Sequence, residues 1–557
     1  MTTLENRRFA LLAALGVVGF LLWQAWQADY VRKAADGVPP PAADARAAAE
    51  VPAVSAAASP APPVIAGAAA PASPAEQTIK VETDVFAVEI GTRGGDLQRL
   101  ALKGYPVAKN RPDEAVKLLD DQPERWFVVQ SGLAGSAGPV ASYKDVYAAV
   151  TTHYALGSGN TVEVPLTLRT AAGVTVTKTY KFERGSYVIG LSQTLQNGTA
   201  APVVASPYMQ LWRTVFAVGE EPPFSKPFMG TGLYEQKEGS SDYKFRKTAF
   251  KDLGDEPIER KQTGGWIAML QHYFLVAILP PGDEKLTLIA KPNAARGYAG
   301  QYIGAPREVA AGSSAQFDVR LYAGPELQKA IGTVAPGLEL VLDYGILKPF
   351  AEPLFWLLDW FFKLTHNWGA AIILLTLSVR AAMYKLSEAM FRSQAKMRKF
   401  APRIQELKER FGDDRERLNK AMMELYKKEK FNPLAGCWPL LIQMPVFLAL
   451  FWVLQGSVEL RQADFALWLH DLSSPDPLYI LPALYGATMF VIQKMTPTVV
   501  TDPVQQRVMN IMPVMLSVFF FFFPAGLVLY WLVSNCISIA QNWYIQRKLA
   551  REGLGHR

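Results

Sequence analysis

Trp368-Gly369-Ala370-Ala371-Ile372-Ile373-Leu374-Leu375-Thr376-Leu377-Ser378-Val379-Arg380-Ala381-Ala382-Met383-Tyr384 carries one charge, Arg380. As a helix it is about 25 Å long, near the roughly 30 Å hydrocarbon core of a bilayer. Four more apolar runs follow, at about 434–458, 478–493, 508–523 and 527–544, the last two joined by the turn Phe523-Pro524-Ala525-Gly526. Another lies at 9–26, preceded by Arg7 and Arg8 and ending in Trp23 and Trp26. A cleaved signal peptide would have a shorter apolar stretch and a small-residue cleavage site, so an uncleaved signal anchor is the preferred reading. The spacing predicts six transmembrane helices.

The 557 residues are 50% hydrophobic and 19% charged, with two cysteines and a net charge of +7. That composition excludes a disordered chain and a disulfide scaffold. Fourteen lysines and arginines lie between the second and third spans, at 385–430, and Arg547, Lys548, Arg551 and Arg557 follow the sixth. Between the third and fourth spans Arg461 faces Glu459, Asp464, Asp471 and Asp476. The positive-inside rule puts the 385–430 segment, the 494–507 loop and both termini in the cytoplasm. The long segment after the first span is then exported.

That segment begins as an Ala/Pro-rich linker, 30–76, with too few large apolar side chains to pack. From 77 to 340 the period becomes two. Residues 161–168 and 174–182 alternate around Ala171-Ala172-Gly173 and read as a hairpin; Asn197-Gly198 is a turn signal, and 286–290 and 315–321 read as strands. An all-β sandwich is expected there, in a binding or scaffolding role. Its histidines, His153 and His272, have no ligand spacing, and it contains no cysteine. Residues 341–365 read as an interfacial amphipathic helix, with Phe350, Leu354, Leu357 and Phe361 on one face and Glu352, Asp359 and Lys363 on the other.

Within 385–430, Gly412 can end one helix, and Asp413, with Glu416 three residues on, can cap a second whose apolar face is Leu418, Ala421, Met422 and Leu425. The basic hairpin so formed suits docking of incoming chains or acidic, RNA-containing partners. It equally suits topology signalling and contact with anionic lipid, and the readings are compatible.

Arg380 lies roughly 18 Å into its span, past the midplane. An arginine at a helix centre costs about 2.5–3.5 kcal/mol on insertion scales. One reading is a side chain snorkelling to the inner interface. The other is a wet cavity, because the spans hold no Asp or Glu but do hold Thr376, Gln443, Gln493, Ser534 and Asn535. Such a cavity would attract acidic segments from the cytoplasm, whereas an arginine, permanently charged, does not suit a proton relay. Spans four and five are short, about 16 residues or 24 Å, which would thin the bilayer locally.

Over about 366–546 the chain resembles the YidC-type membrane protein insertases of Gram-negative bacteria, relatives of the mitochondrial Oxa and chloroplast Alb proteins. The resemblance rests on Thr376-Leu377-Ser378-Val379-Arg380, Asn432-Pro433-Leu434-Ala435-Gly436-Cys437, Leu441-Ile442-Gln443-Met444-Pro445 and Gly456-Ser457-Val458-Glu459-Leu460-Arg461. It continues in Ile492-Gln493-Lys494-Met495, Thr501-Asp502-Pro503 and Phe523-Pro524-Ala525-Gly526-Leu527-Val528-Leu529-Tyr530. It implies a five-helix insertase core, 366–546, after an anchor at 1–29, and a periplasmic supersandwich similar to galactose mutarotases, in a bacterial inner-membrane protein. It implies that inner-membrane proteins are inserted and chaperoned through a hydrophilic groove open to cytoplasm and lipid, alone or beside the Sec translocon, without nucleotide hydrolysis, enzymatic activity, cofactor or metal. Arg380 matches the family's groove arginine, Thr376, Gln443 and Gln493 match polar groove positions, and Trp531 stands where some relatives have Tyr; Asn535 completes the expected groove. Asp413 and Asp502 match acidic cytoplasmic positions. With Lys427, Lys428, Arg547 and Lys548 of the hairpin and the 547–557 tail, they form the expected docking surface for ribosome and targeting machinery.

Two other classes fit less well. A small-solute transporter calls for inverted repeats and a midplane ionisable site. A sugar-modifying enzyme on an anchor would leave five spans unexplained.

Overall fold

The computed structural model describes residues 76–136, 138–216, 228–293, 295–342, 344–411, 414–428, 438–495 and 503–551. The expected anchor and most of the linker lie outside the described residues. The chain divides into two compact units that meet in sequence between Leu342 and Asp343.

The first unit is a sandwich of two sheets, with twelve and nine described strands. Thr161–Arg169 and Val174–Glu183 pair antiparallel as the alternation demands, with Thr177 opposite Thr167. Asn197 does more than turn the chain, because its Nδ2 donates to the carbonyls of Ala201 and Val309 and ties its own turn to the end of the strand Arg307–Val309. The larger sheet runs through Tyr298–Gly304, Val203–Arg213, Phe127–Gly135, Asp96–Ala108 and Phe86–Gly91, and the smaller through Phe274–Leu279, Ser314–Pro325, Val188–Asn197 and Val174–Glu183. The apolar sides of both, including Leu97, Val129, Leu211, Val176, Leu191 and Leu321, form one core.

A cation sits between these sheets. Lys178 is fully buried, and its Nζ donates to Gly94 O at 2.5 Å, Ser131 O at 2.8 Å and Ser131 Oγ at 2.9 Å. Three acceptors match the three protons of an ammonium. Gly94 and Gly95 have φ of 74° and 60°, and this left-handed turn brings the Gly94 carbonyl onto the lysine.

The second unit is helical. We number its helices α1 (Lys348–Thr365), α2 (Trp368–Ala382), α3 (Tyr384–Phe411), α4 (Arg415–Lys428), α5 (Trp438–Gly456), α6 (Ile480–Met495), α7 (Pro503–Phe519) and α8 (Ala525–Arg551). Helix α8 packs against α2, α3, α5 and α6. Among the described residues no single helix is long and apolar enough to cross a membrane. Helix α2 and the start of α3, to Arg392, reach that length together across a 59° bend. The run read as one span over 368–384 therefore breaks at Met383. No proline or glycine stands there, but Gln541 Nε2 of α8 reaches the Arg380 carbonyl beside the break, at 3.4 Å.

Two further expectations change. The cap of α4 is Asp414, whose Oδ1 accepts from Glu416 N at 3.1 Å and Arg417 N at 3.0 Å. Since Arg415 is the first helical residue, the residue directly before it is the one that reaches those amides; Asp413 lies outside the described residues. On α1 the buried face is Ala351, Phe355, Leu358 and Phe361, while Phe350 is exposed. Leu354 and Leu357 are half-buried at its edge. The helix is apolar on two sides: the buried face belongs to the core shared with α2 and α5, and the other carries Trp356 and Trp360, 64% and 50% exposed.

Helices α1 and α2 meet in a two-residue joint. His366 is left-handed, with φ 52°, and Asn367 caps α2 by accepting from Ala370 N at 3.0 Å. Asn367 Nδ2 also donates to Phe465 O at 2.8 Å, drawing the loop before α6 onto the helix start. The Phe465 ring then occupies the space a β-carbon on Gly369 would take.

We expect Gly369→Ala to cost about 1–3 kcal/mol by overpacking, read as a lower thermal midpoint of the purified protein in detergent. Lys178→Met should destabilise the sandwich by about 2–4 kcal/mol, because buried acceptors lose their donor. Burial lowers Lys178 from its ordinary 10.5 to about 8, against the pull of Asp96 and Asp145. The native state thus gives up its proton before the unfolded chain does, and this group's contribution to stability rises with pH through that interval. The gap between wild type and Lys178→Met, measured by pulse proteolysis, should widen from about pH 8 to about pH 10, where tyrosines begin to titrate.

Candidate functional site

Arg380 sits on α2 one turn after Thr376. Its Nε donates to Ser534 Oγ of α8 at 2.9 Å, and its Nη2 donates to the same oxygen. A largely buried guanidinium on an apolar helix needs acceptors from a neighbouring helix or access to water. Here the partner is a hydroxyl on a buried serine. Arg380 also borders a cavity of about 30 Å³, room for a single water. Its walls are Arg380, Met383, Leu386, Ser387, Met390 and Phe391 on the α2–α3 side, and Ser538 and Gln541 on α8.

Thr376 is fully buried, and its hydroxyl donates to Ile372 O at 2.6 Å, one turn back on its own helix. Asn535 Nδ2 donates to Thr488 Oγ1 at 3.2 Å and fastens α8 to α6. Gln493 Nε2 reaches Asn510 Oδ1 at 3.4 Å, between α6 and α7. Gln443 belongs to α5, but its side chain lies outside the described residues. Arg380, Ser534 and Asn535 thus form one polar layer, and Gln493 stands farther along α6.

Trp531, one turn before Ser534 on α8, packs in an aromatic cluster. Its ring lies 4.6 Å from Phe447, 5.4 Å from Phe520 and 6.0 Å from Tyr485, centroid to centroid. Phe523 adjoins Phe520 at 5.5 Å. This apolar plug sits toward the start of α8, and the polar layer with its cavity toward the end.

Past the polar layer α8 is laced to α3. Lys548 Nζ lies 2.7 Å from Glu388 Oε1, which also pairs with Arg392 at 3.6 Å. Phe391, Ile545 and Leu549 pack beneath them. Lys548, read as a docking residue, is therefore engaged within the chain, and Arg547 stacks over Trp543 at 3.7 Å. Lys427 and Lys428 end α4, but their side chains, like Asp413 and Asp502, lie outside the described residues. Sequence reasoning missed Ser538, Gln541, Glu388 and the aromatic partners of Trp531. The recurrence of Ser534, Ser538 and Gln541 at helical spacing was the available signal for the first two. Glu388 and Lys548, 160 residues apart, had none. Among the described residues no cluster of three or more His, Cys, Asp or Glu could hold a metal ion.

Known proteins resemble this chain over nearly its whole length. The family model of the 60Kd inner membrane protein matches residues 360–552, and that of the YidC periplasmic domain matches residues 78–357. The membrane protein insertase YidC of Methylococcus capsulatus is 45% identical over 555 residues, covering 98% of this chain and 99% of the relative. That of Nitrosococcus oceani is 44% identical over 553 residues, covering 99% and 100%. A solved structure of an active YidC insertase, with its first transmembrane domain resolved, covers 85% of this chain and 93% of that one at 18% identity, with a TM-score of 0.38. At such identity over full length, the chain belongs to the YidC family of membrane protein insertases, with a periplasmic β-sandwich domain ahead of a helical C-terminal region.

Proposed function

We propose that this protein inserts inner-membrane proteins through the polar layer around Arg380. The observation that carries the reading is a permanently charged guanidinium, held by a buried hydroxyl, on a residue that borders a small cavity, with an aromatic cluster one turn before that hydroxyl on α8. A polar or acidic segment arriving from the cytoplasm meets a favourable charge at reduced desolvation cost. The plug gives it no aqueous path onward, so the neighbouring apolar segment must leave sideways into lipid. None of these steps calls for nucleotide hydrolysis by this chain. The energy comes from burying the substrate's apolar helix in the bilayer.

The reading needs lipid around the helical unit. Supporting it are the exposed apolar faces of α6, with Leu484, Phe490 and Val491, and of α7, with Ile511, Val514, Met515 and Val518. We propose six spans, counting the anchor at 9–26, with both termini cytoplasmic and α1 lying at the periplasmic interface on Trp356 and Trp360. The short α6 and α7 would thin the bilayer beside the groove. The basic hairpin of α3 and α4, with Arg547 and the tail, would meet the ribosome and targeting machinery, and larger substrates would be handed over by the Sec translocon. Thr376 would shape the groove wall through its backbone-bonded hydroxyl, while Gln443, Gln493, Asn535 and Trp531 would line its length.

Reconstituted into liposomes, Arg380→Glu should lower insertion of a small protein with an acidic translocated tail by about tenfold, or about 1.4 kcal/mol. Arg380→Lys should keep most of it. Equal insertion by wild type and Arg380→Glu would remove the electrostatic part of the proposal. Deleting most of 77–330 should leave insertion within about threefold, less than 1 kcal/mol; abolition would move the active part into the sandwich.

A further inference from the structure

We infer that Ser534 is a positioning residue for Arg380: it holds the guanidinium at the depth of the groove and turns its outer edge toward an incoming carboxylate. The inference rests on the proposed role of Arg380 and adds what makes that arginine usable.

A guanidinium has five N–H groups and two edges that can meet a carboxylate with paired hydrogen bonds, the Nε–Nη2 side and the Nη1–Nη2 end. Ser534 Oγ takes the Nε–Nη2 side. The end edge, with one proton of Nη1 and one of Nη2, takes no bond among the described residues and suits the two-pronged contact. Serine is suited to this because its hydroxyl is neutral. An aspartate here would form a closed ion pair and cancel the attraction for an acidic segment.

The same bond opposes snorkelling. A free arginine in the inner half of a membrane helix extends its head to the interface. Arg380 is instead drawn sideways onto α8, where Ser534 is buried between Tyr530 and Ser538. The serine's backbone is itself held, because its carbonyl accepts from Ser538 Oγ at 2.9 Å. Gln541 Nε2 meets the Arg380 carbonyl at 3.4 Å, so main chain and side chain of the arginine are both tied to one face of α8.

The test uses the full chain in proteoliposomes and two versions of one small substrate, its translocated tail carrying Asp and Glu or the corresponding Asn and Gln. Ser534→Ala should lower insertion of the acidic version by about three- to tenfold, the scale of a typical net hydrogen bond, and leave the amide version within about twofold. Ser534→Thr should restore the acidic version. In an Arg380→Gln background Ser534→Ala should have no further effect. Equal loss for both tails, or no rescue by threonine, would make the serine merely structural and overturn the inference. If Arg380→Gln lowers acidic-tail insertion while Ser534→Ala does not, the positioning role fails and the Arg380 reading stands. If Arg380→Gln also leaves the acidic tail unaffected, both fall.

Discussion

A permanent cation inside an apolar helix fixes much of how the helical unit is built. Arg380 cannot discharge itself by losing a proton, so its neighbours must satisfy it. The satisfying group comes from α8, 154 positions later. Helix α8 therefore has to pass α2 closely at that level, and what it does before and after follows. Before it, Trp531 and the rings of Phe447, Tyr485 and Phe520 close the space with apolar volume. After it, Ser538 and Gln541 keep a polar face toward the α2–α3 bend, and Lys548 closes on Glu388. Polar side chains in α8 thus serve as interhelical joints, each modest in a membrane setting but set in series along one helix.

The sandwich solves a similar problem by other means. Lys178 is as deeply buried as any core leucine, yet its acceptors are two backbone carbonyls and a serine hydroxyl within the same unit. There the cation leaves no donor over, and its role ends with joining the sheets. Arg380 differs in that, among the described residues, Ser534 Oγ is the acceptor its side chain meets, and the residue borders a cavity. A buried charge that is fully bonded reads as structure, and one that is partly bonded and open reads as a site.

Period-two alternation made the strands legible because sandwich strands show one face to the core, and the register of Thr161–Arg169 on Val174–Glu183 follows from it. The helices of the second unit were legible as apolar runs, but their ends were not. Met383, where α2 breaks, has no helix-breaking chemistry, and the contact beside the break comes from α8. Asp413 and Asp414 are equal candidates for a cap until the first helical residue is known to be Arg415. On α1 both faces are apolar, so periodicity could not tell which packs inward. Within the site, Arg380 was legible because a lone charge in an apolar run is conspicuous. Its partner was one uncharged polar residue among several.

The acidic loop between α5 and α6 shows how a charge pattern can have more than one cause. Its aspartates count toward the asymmetry expected to orient the chain, yet Asp471 and Asp476 are bonded into the fold and Asp464 meets His470 Nδ1 at 3.1 Å. Asp476 is buried and accepts from Leu478 N at 3.0 Å, Leu481 N at 2.7 Å and Trp468 Nε1 at 2.9 Å, capping α6. Asp471 gathers Gln462 N, Ser473 and Ser474 around one carboxylate. This loop also delivers Leu472 O and Ser474 O to the first amides of α8, Gly526 N at 2.9 Å and Ala525 N at 2.8 Å. Those amides have no acceptor within their own helix. The carboxylates that shape the loop therefore help fix where α8 begins, and with it the level at which Ser534 faces Arg380.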